Sequence, residues 1–232
     1  MPSIMTTIIG ATSRNSTSAR ATIIISTGVE STTMSKTITH PTTSYLPSQQ
    51  IVSITNLDDI IVGLYSTSAG QSTGGDNGVY STVSEQPPKA IDGFLSTKYL
   101  NFGNNGAPEN IRNNSGANTG FFVVPSISNA SVAVAIRFAT ANDFPNRDPI
   151  TVTLEGTNVT TIEALHLGSS WTLIYSGPTG INSTTAPARS RYVPQQNFSN
   201  TIAFRSYRLL ITSQRGLADC VQYAEAQILG YV

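Results

Sequence analysis

The chain has 232 residues and no net charge, with 13 Lys and Arg balancing 13 Asp and Glu. Its few charges form no basic stripe, so sequence-independent binding to nucleic acid phosphates lacks its electrostatic driving force. No polybasic or strongly amphipathic segment suits a membrane surface, and no apolar run approaches the roughly 20 residues of a spanning helix.

Residues 1–50 are rich in Ser and Thr with scattered single hydrophobes, and no helical or strand period persists in them. So little surface can be buried that chain entropy goes unopposed. A disordered stalk or tail is expected, with the composition of O-glycosylated segments, in which only "ATIIIST" could pair as an edge strand. The start, "MPSIMTTIIGATS", has neither the basic region nor the continuous apolar region of a secretory leader. A fragment, or a chain that has lost its leader, are the open alternatives.

From Ile51 to Val232 short apolar stretches alternate with Gly, Pro, Asn and Asp clusters. Strands are expected at Asp59–Tyr65, Lys98–Phe102, Gly120–Pro125, Ser131–Ala139, Ile150–Glu155, Trp171–Ser176, Thr201–Thr212 and Cys220–Tyr231. In "SVAVAIRF", Val132, Val134, Ile136 and Phe138 share one face. "TIEALHLG" offers one or two helical turns within a loop. About eight strands joined by long irregular connections predict an all-β antiparallel β-sandwich of jelly-roll type, following the N-terminal tail. Such a domain is large enough to have a core without disulfides. The single cysteine, Cys220, permits none internally, and its apolar context predicts a small buried hydrophobe.

Catalytic signatures are scarce. The two histidines are His40 in the tail and His166 in a loop-like insert, and there is no GxSxG, HExxH or phosphate-cradling glycine loop. Asp143, Asp148, Glu155 and Glu163 show no spacing that singles out a glycosidase pair. In "ANDFPNRDP", Arg147 between Asp143 and Asp148 predicts a loop pinned by an Arg–carboxylate bond. A non-enzyme is expected. Six N-x-S/T sequons, at Asn15, Asn113, Asn129, Asn158, Asn182 and Asn197, permit a secreted glycoprotein. About four or five would arise by chance from this composition.

One stretch suggests a metal. In "KAIDGFLSTKY", Asp92 offers a carboxylate, Gly93 permits a bend, and Thr97 adds hydroxyl and carbonyl oxygens, the hard donors calcium prefers. A second acid is needed, and Glu225 sits inside the last apolar strand, where burial is costly unless the charge is paired or bound to a cation. On the residues alone, a turn capped by Asp92 and a solvent-facing Glu225 is an equal alternative.

From about Asp58 onward the chain resembles the galactose-binding-like jelly rolls of the discoidin and coagulation factor V/VIII type C superfamily, which includes the family 32 carbohydrate-binding modules. "KAIDGFLSTKY", "ITVTLEGTN…SSWTLIYSG" and "SYRLLI…VQYAEAQILGY" carry the resemblance. It implies a structural calcium ion held by the carbonyls of Lys89, Phe94 and Ala224, the carboxylates of Asp92 and Glu225, and both oxygens of Thr97. It also implies that Trp171 and Tyr99 are core residues and that sugars meet loop aromatics at one end. The candidates here are Phe144, Asn146 and Arg147 in one loop and Arg191, Tyr192 and Phe198 in another, with Phe144 foremost. The expected function is a non-catalytic extracellular or cell-surface module that binds glycan or another surface ligand. The alternative is an adhesive protein that packs against copies of itself, with no small ligand.

Overall fold

The computed structural model describes residues 50–76, 83–103 and 115–232. Tail residues 1–49, including "ATIIIST" and His40, lie outside the described residues, as do the sequons at Asn15 and Asn113. Twelve strands are present among the described residues: β1 (Val52–Ser53), β2 (Ile60–Tyr65), β3 (Gly75–Asp76), β4 (Tyr99–Asn101), β5 (Thr119–Val124), β6 (Val132–Ala139), β7 (Pro149–Thr157), β8 (Thr172–Pro178), β9 (Gln196–Asn197), β10 (Ser206–Gln214), β11 (Val221–Tyr223) and β12 (Glu225–Tyr231). One helical turn, α1 (Ile162–Leu165), lies in the insert where helix was expected. No helix among the described residues is long and apolar enough to cross a membrane.

Every strand pairing is antiparallel. One sheet has the order β1-β12-β6-β9, a second the order β3-β2-β5-β10-β7-β8, and β4 and β11 form a third, two-stranded sheet. The main core lies between the first two. Ala133, Ile136, Phe138, Ala226 and Ile228 come from one sheet, and Phe121, Val123, Val152, Leu154, Tyr207, Leu209 and Ile211 from the other. Period-2 alternation in β5 and β10 sends the intervening Phe122 and Leu210 to the opposite face. There they meet Leu64, Leu165 and Trp171 in a second cluster. The fold is therefore the expected all-β sandwich, with the central strands β5 and β10 of the larger sheet buried on both faces. Gly120 lets β5 approach β10, since a Cβ there would lie 1.9 Å from the Leu209 carbonyl oxygen.

Most strand ends fall within one or two residues of expectation, and two differences are larger, for local reasons. The strand expected from Thr201 begins at Ser206. Asn200 bonds the N–H and the carbonyl of Ile202 with its side chain (both 3.0 Å), satisfying backbone groups that a ladder would otherwise use. The expected strand Cys220–Tyr231 is divided at Ala224, where the chain passes from pairing with β4 to pairing with β6. Trp171 and Tyr99 are buried, as expected, although Trp171 joins the second cluster rather than the main core. Cys220 is fully buried, and burial pushes its thiol pKa up, which suits a small hydrophobe.

Candidate functional site

The Lys89–Thr97 segment begins as a 3-10 turn, Pro87–Ala90, started by proline at its first position. Gly93 follows with φ +80°, a left-handed conformation that non-glycine residues rarely adopt. This bend turns the chain over the start of β12. The Gly93 N–H donates to Glu225 Oε1 at 2.7 Å across 132 residues of sequence. Asp92 is buried beside it. Its carboxylate accepts from the Phe94 N–H (3.0 Å), from the Thr97 hydroxyl (2.9 Å to either oxygen) and from Lys89 Nζ (3.2 Å). The Thr97 hydroxyl is also 2.9 Å from the Phe94 carbonyl oxygen. One hydroxyl thus sits among three acceptor oxygens and has a single proton to share.

Glu225 is fully buried, and its Oε2 has no hydrogen-bond partner. Burial pushes its pKa up to about 8; the Gly93 N–H opposes the shift and the nearby Asp92 carboxylate adds to it. With Glu225 ionised, two buried acids face one lysine, and the donors in this pocket are hard oxygens. Such a donor set fits calcium. The Lys89, Thr97 and Ala224 carbonyls adjoin these groups along the chain. Among the described residues no group of three or more His, Cys, Asp or Glu side chains is placed to hold a metal ion.

The second group of candidates splits. Phe144, Asn146 and Arg147 share one turn, in which Phe144 has φ 36° and is 58% exposed. A bulky residue in this region is a true outlier and must be held by its surroundings. The Arg147 guanidinium lies 4.3 Å from the Phe144 ring centroid and covers that side of it. Arg147 pairs with Asp219 at 2.9 Å, not with its neighbours Asp143 and Asp148. The loop is pinned by Arg–carboxylate bonds, as expected, but tertiary partners make them. Fully buried Asp148 takes both Arg189 amino groups (2.8 and 2.7 Å) and Arg215 (3.2 Å), and Asp143 takes Lys98 (2.8 Å). Lys98 and Gln222 hold the Asp143 carboxyl below its usual range against the opposing effect of burial.

Arg191 and Tyr192 run beside the strand that leads into this turn. Thr140 N–H donates to the Arg191 carbonyl at 2.9 Å, and Tyr192 bridges to Ala139. Tyr192 is no open platform, because Arg137 lies 4.2 Å from its ring centroid and Gln227 donates to its hydroxyl at 2.9 Å. Phe198 is separate from this group. Its ring stacks on Tyr175 at 4.9 Å, its backbone N–H bonds the Val134 carbonyl beside mid-β6, and it packs on the main core. Sequence reasoning missed Arg189, Arg215 and Asp219, the residues that hold the turn; nothing in their local spacing connects them.

The acids considered for catalysis do not converge. Asp143, Asp148 and Glu155 are each ion-paired, and Glu163 lies in the first turn of α1. His166 sets its ring edge-on against Phe122 at 5.4 Å.

No protein-family model matches the chain, and no curated protein sequence does. Solved structures do. The CBM32-3 module of a family 31 glycoside hydrolase from Clostridium perfringens is 14% identical with a TM-score of 0.47, the match covering 67% of this chain and 90% of that one. CBM62 from Clostridium thermocellum Xyl5A is 16% identical with a TM-score of 0.45, over 78% of this chain and 97% of that one. The family 32 module of C. perfringens NanJ, solved in complex with galactose, is 13% identical with a TM-score of 0.43, over 73% and 99%. Each of these is a carbohydrate-binding module to which the chain is similar in structure, at low sequence identity.

Proposed function

We propose that this domain is a non-catalytic, extracellular or cell-surface module that binds carbohydrate through the turn bearing Phe144, on loops stiffened by a structural calcium ion. The exposed Phe144 ring is the observation that carries the binding site. A left-handed turn clamped by Asp148, Arg189, Arg215 and Asp219 presents one side of an aromatic ring to solvent, and such a face stacks on the CH groups of a pyranose. Asn146 and Arg147 in the same turn supply donors for sugar hydroxyls. Pre-ordering the loop lowers the entropy lost on binding.

Calcium would be held by the carboxylates of Asp92 and Glu225, the hydroxyl and carbonyl of Thr97, and the carbonyls of Lys89, Phe94 and Ala224. Its charge would neutralise the two acids and tie the Asp92 loop to the start of β12. The orphaned Glu225 Oε2 is what supports this assignment.

The self-assembling alternative draws less support. Of the outer strands, β1, β3 and β9 have two residues each, and β8 is paired to β7 with a register shift. Short and bulged edges discourage strand addition. A glycan array probed with and without calcium, with galactose among the ligands, tests the function. The expected result is binding that Phe144→Ala abolishes. An array with no signal in calcium sinks the proposal.

A further inference from the structure

The end of the sandwich that carries Phe144 contains many cations, and all but one are committed. Lys89 pairs with Asp92, Lys98 with Asp143, Arg147 with Asp219, and Arg189 and Arg215 with Asp148. Arg137 has no acid, but its Nε and Nη2 both donate to Gln227 Oε1 (3.1 and 2.7 Å). The Arg191 side chain is exposed and makes no hydrogen bond or ion pair among the described residues. Its backbone, by contrast, is fixed. The Arg191 N–H donates to Thr140 Oγ1 (3.3 Å) and its carbonyl accepts from the Thr140 N–H (2.9 Å). Ser190 just before it has φ 52°, and the Ser190 N–H bonds the Ala141 carbonyl at 3.2 Å. A strained, hydrogen-bonded backbone therefore holds an unpaired guanidinium beside the short segment that runs from Thr140 to Phe144. Strain of this kind is retained where the surroundings over-determine it, and ligand clamps are a common place.

We infer that the ligand is an acidic glycan, one whose sugar ring carries a carboxylate, with Arg191 receiving that carboxylate while Phe144 meets the ring. The assignment rests on the carbohydrate-binding function proposed above and names its substrate class. A guanidinium offers a fork of N–H donors that matches a carboxylate in two parallel bonds, and it is the group that discriminates an acid from its neutral counterpart. The committed arginines cannot serve without leaving an acid behind.

Arg205 supplies an internal control. It too is exposed and without a side-chain partner among the described residues. Its N–H bonds the carbonyl of Thr157, the last residue of β7, whereas the Asp148 cluster lies just before β7 begins. The nine residues of β7 place the two sites roughly 27 Å apart. Replacing Arg205 changes net charge equally but leaves the Phe144 end untouched.

The test is an array of uronic- and sialic-acid glycans, each printed beside its methyl-esterified counterpart, probed in calcium with the wild-type domain, Arg191→Gln and Arg205→Gln. The expected result is about tenfold or greater preference of the wild type for the free acid. That preference should vanish in Arg191→Gln and persist in Arg205→Gln. Equal binding of acid and ester, with neutral glycans bound, overturns the acidic class and leaves the carbohydrate function standing. A preference that survives Arg191→Gln, or that falls equally in Arg205→Gln, overturns the role of Arg191. Failure to bind any glycan overturns both.

Discussion

Two glutamates buried at sheet strands have opposite surroundings. Glu155 in β7 is 1% exposed, and its Oε2 takes Arg208 Nε at 2.7 Å while its Oε1 takes the Gly70 N–H at 2.7 Å. Arg208 is itself buried, 4.8 Å from the Trp171 ring centroid, and donates to the Gln71 carbonyl at 3.0 Å. Glu225 in β12 is equally buried, but its neighbour is a second carboxylate and one of its oxygens is orphaned. The first glutamate carries its counter-ion within the chain. The second has no ion-pair partner among the described residues, and it is the acid to which the proposed calcium would bind. A buried acid that the structure fails to satisfy is the stronger pointer to function.

The largest effect is expected at Arg208. Arg208→Ala would strand the Glu155 charge in the core and cost about 3–5 kcal/mol. Urea unfolding should show this loss whether or not calcium is present, and replacing Glu155 and Arg208 together with Leu should restore much of it. Calcium should act only at the other glutamate. At a hundredfold excess over Kd it is expected to stabilise the wild type by about 2.7 kcal/mol, and Glu225→Gln should abolish that increment. A melting temperature that ignores both calcium and chelator removes the metal from the proposal.

The pH dependence of the metal-free protein sharpens the contrast further. Because the folded pKa of Glu225 is raised to about 8 from 4.5, the folded state binds more protons than the unfolded state between those values. Stability from this group is thus fully present below about 4.5 and is lost as pH rises to about 8. Thermal melts of the metal-free wild type should decline across that window, and those of Glu225→Gln should decline less. Saturating calcium should flatten the difference. The smallest effect is expected at Gly93, where a Cβ meets nothing within 4 Å but φ is +80°. Gly93→Ala should cost about 1–2 kcal/mol, measured by denaturant unfolding, and should weaken calcium affinity through the displaced Gly93 N–H.

Much of the sandwich was legible because alternation is a local property. Side-chain period alone predicts a strand over Ser131–Ala139, and the strand observed is Val132–Ala139. The two-residue strands β1, β3 and β9 were not legible, since two residues carry no period. The halves of the candidate metal site were each legible, Asp92–Gly93 as turn chemistry and Glu225 as an acid inside an apolar strand. The loop partners were not. Arg147 lies near two acids in sequence and pairs with Asp219 instead, because the fold brings that distant carboxylate within reach.

Neutral charge, short β-forming runs and turn residues already favour an antiparallel sandwich over any helical design. Only the tertiary structure decided which charges are answered. Among the described residues it gave Glu155 an arginine, left Glu225 without an ion pair, clamped the Phe144 turn through Asp148 and left Arg191 unpaired. The physical reason is range. Backbone preference and period act over a few residues, whereas the pairing of a buried charge depends on which distant strand the fold brings within about 3 Å of it.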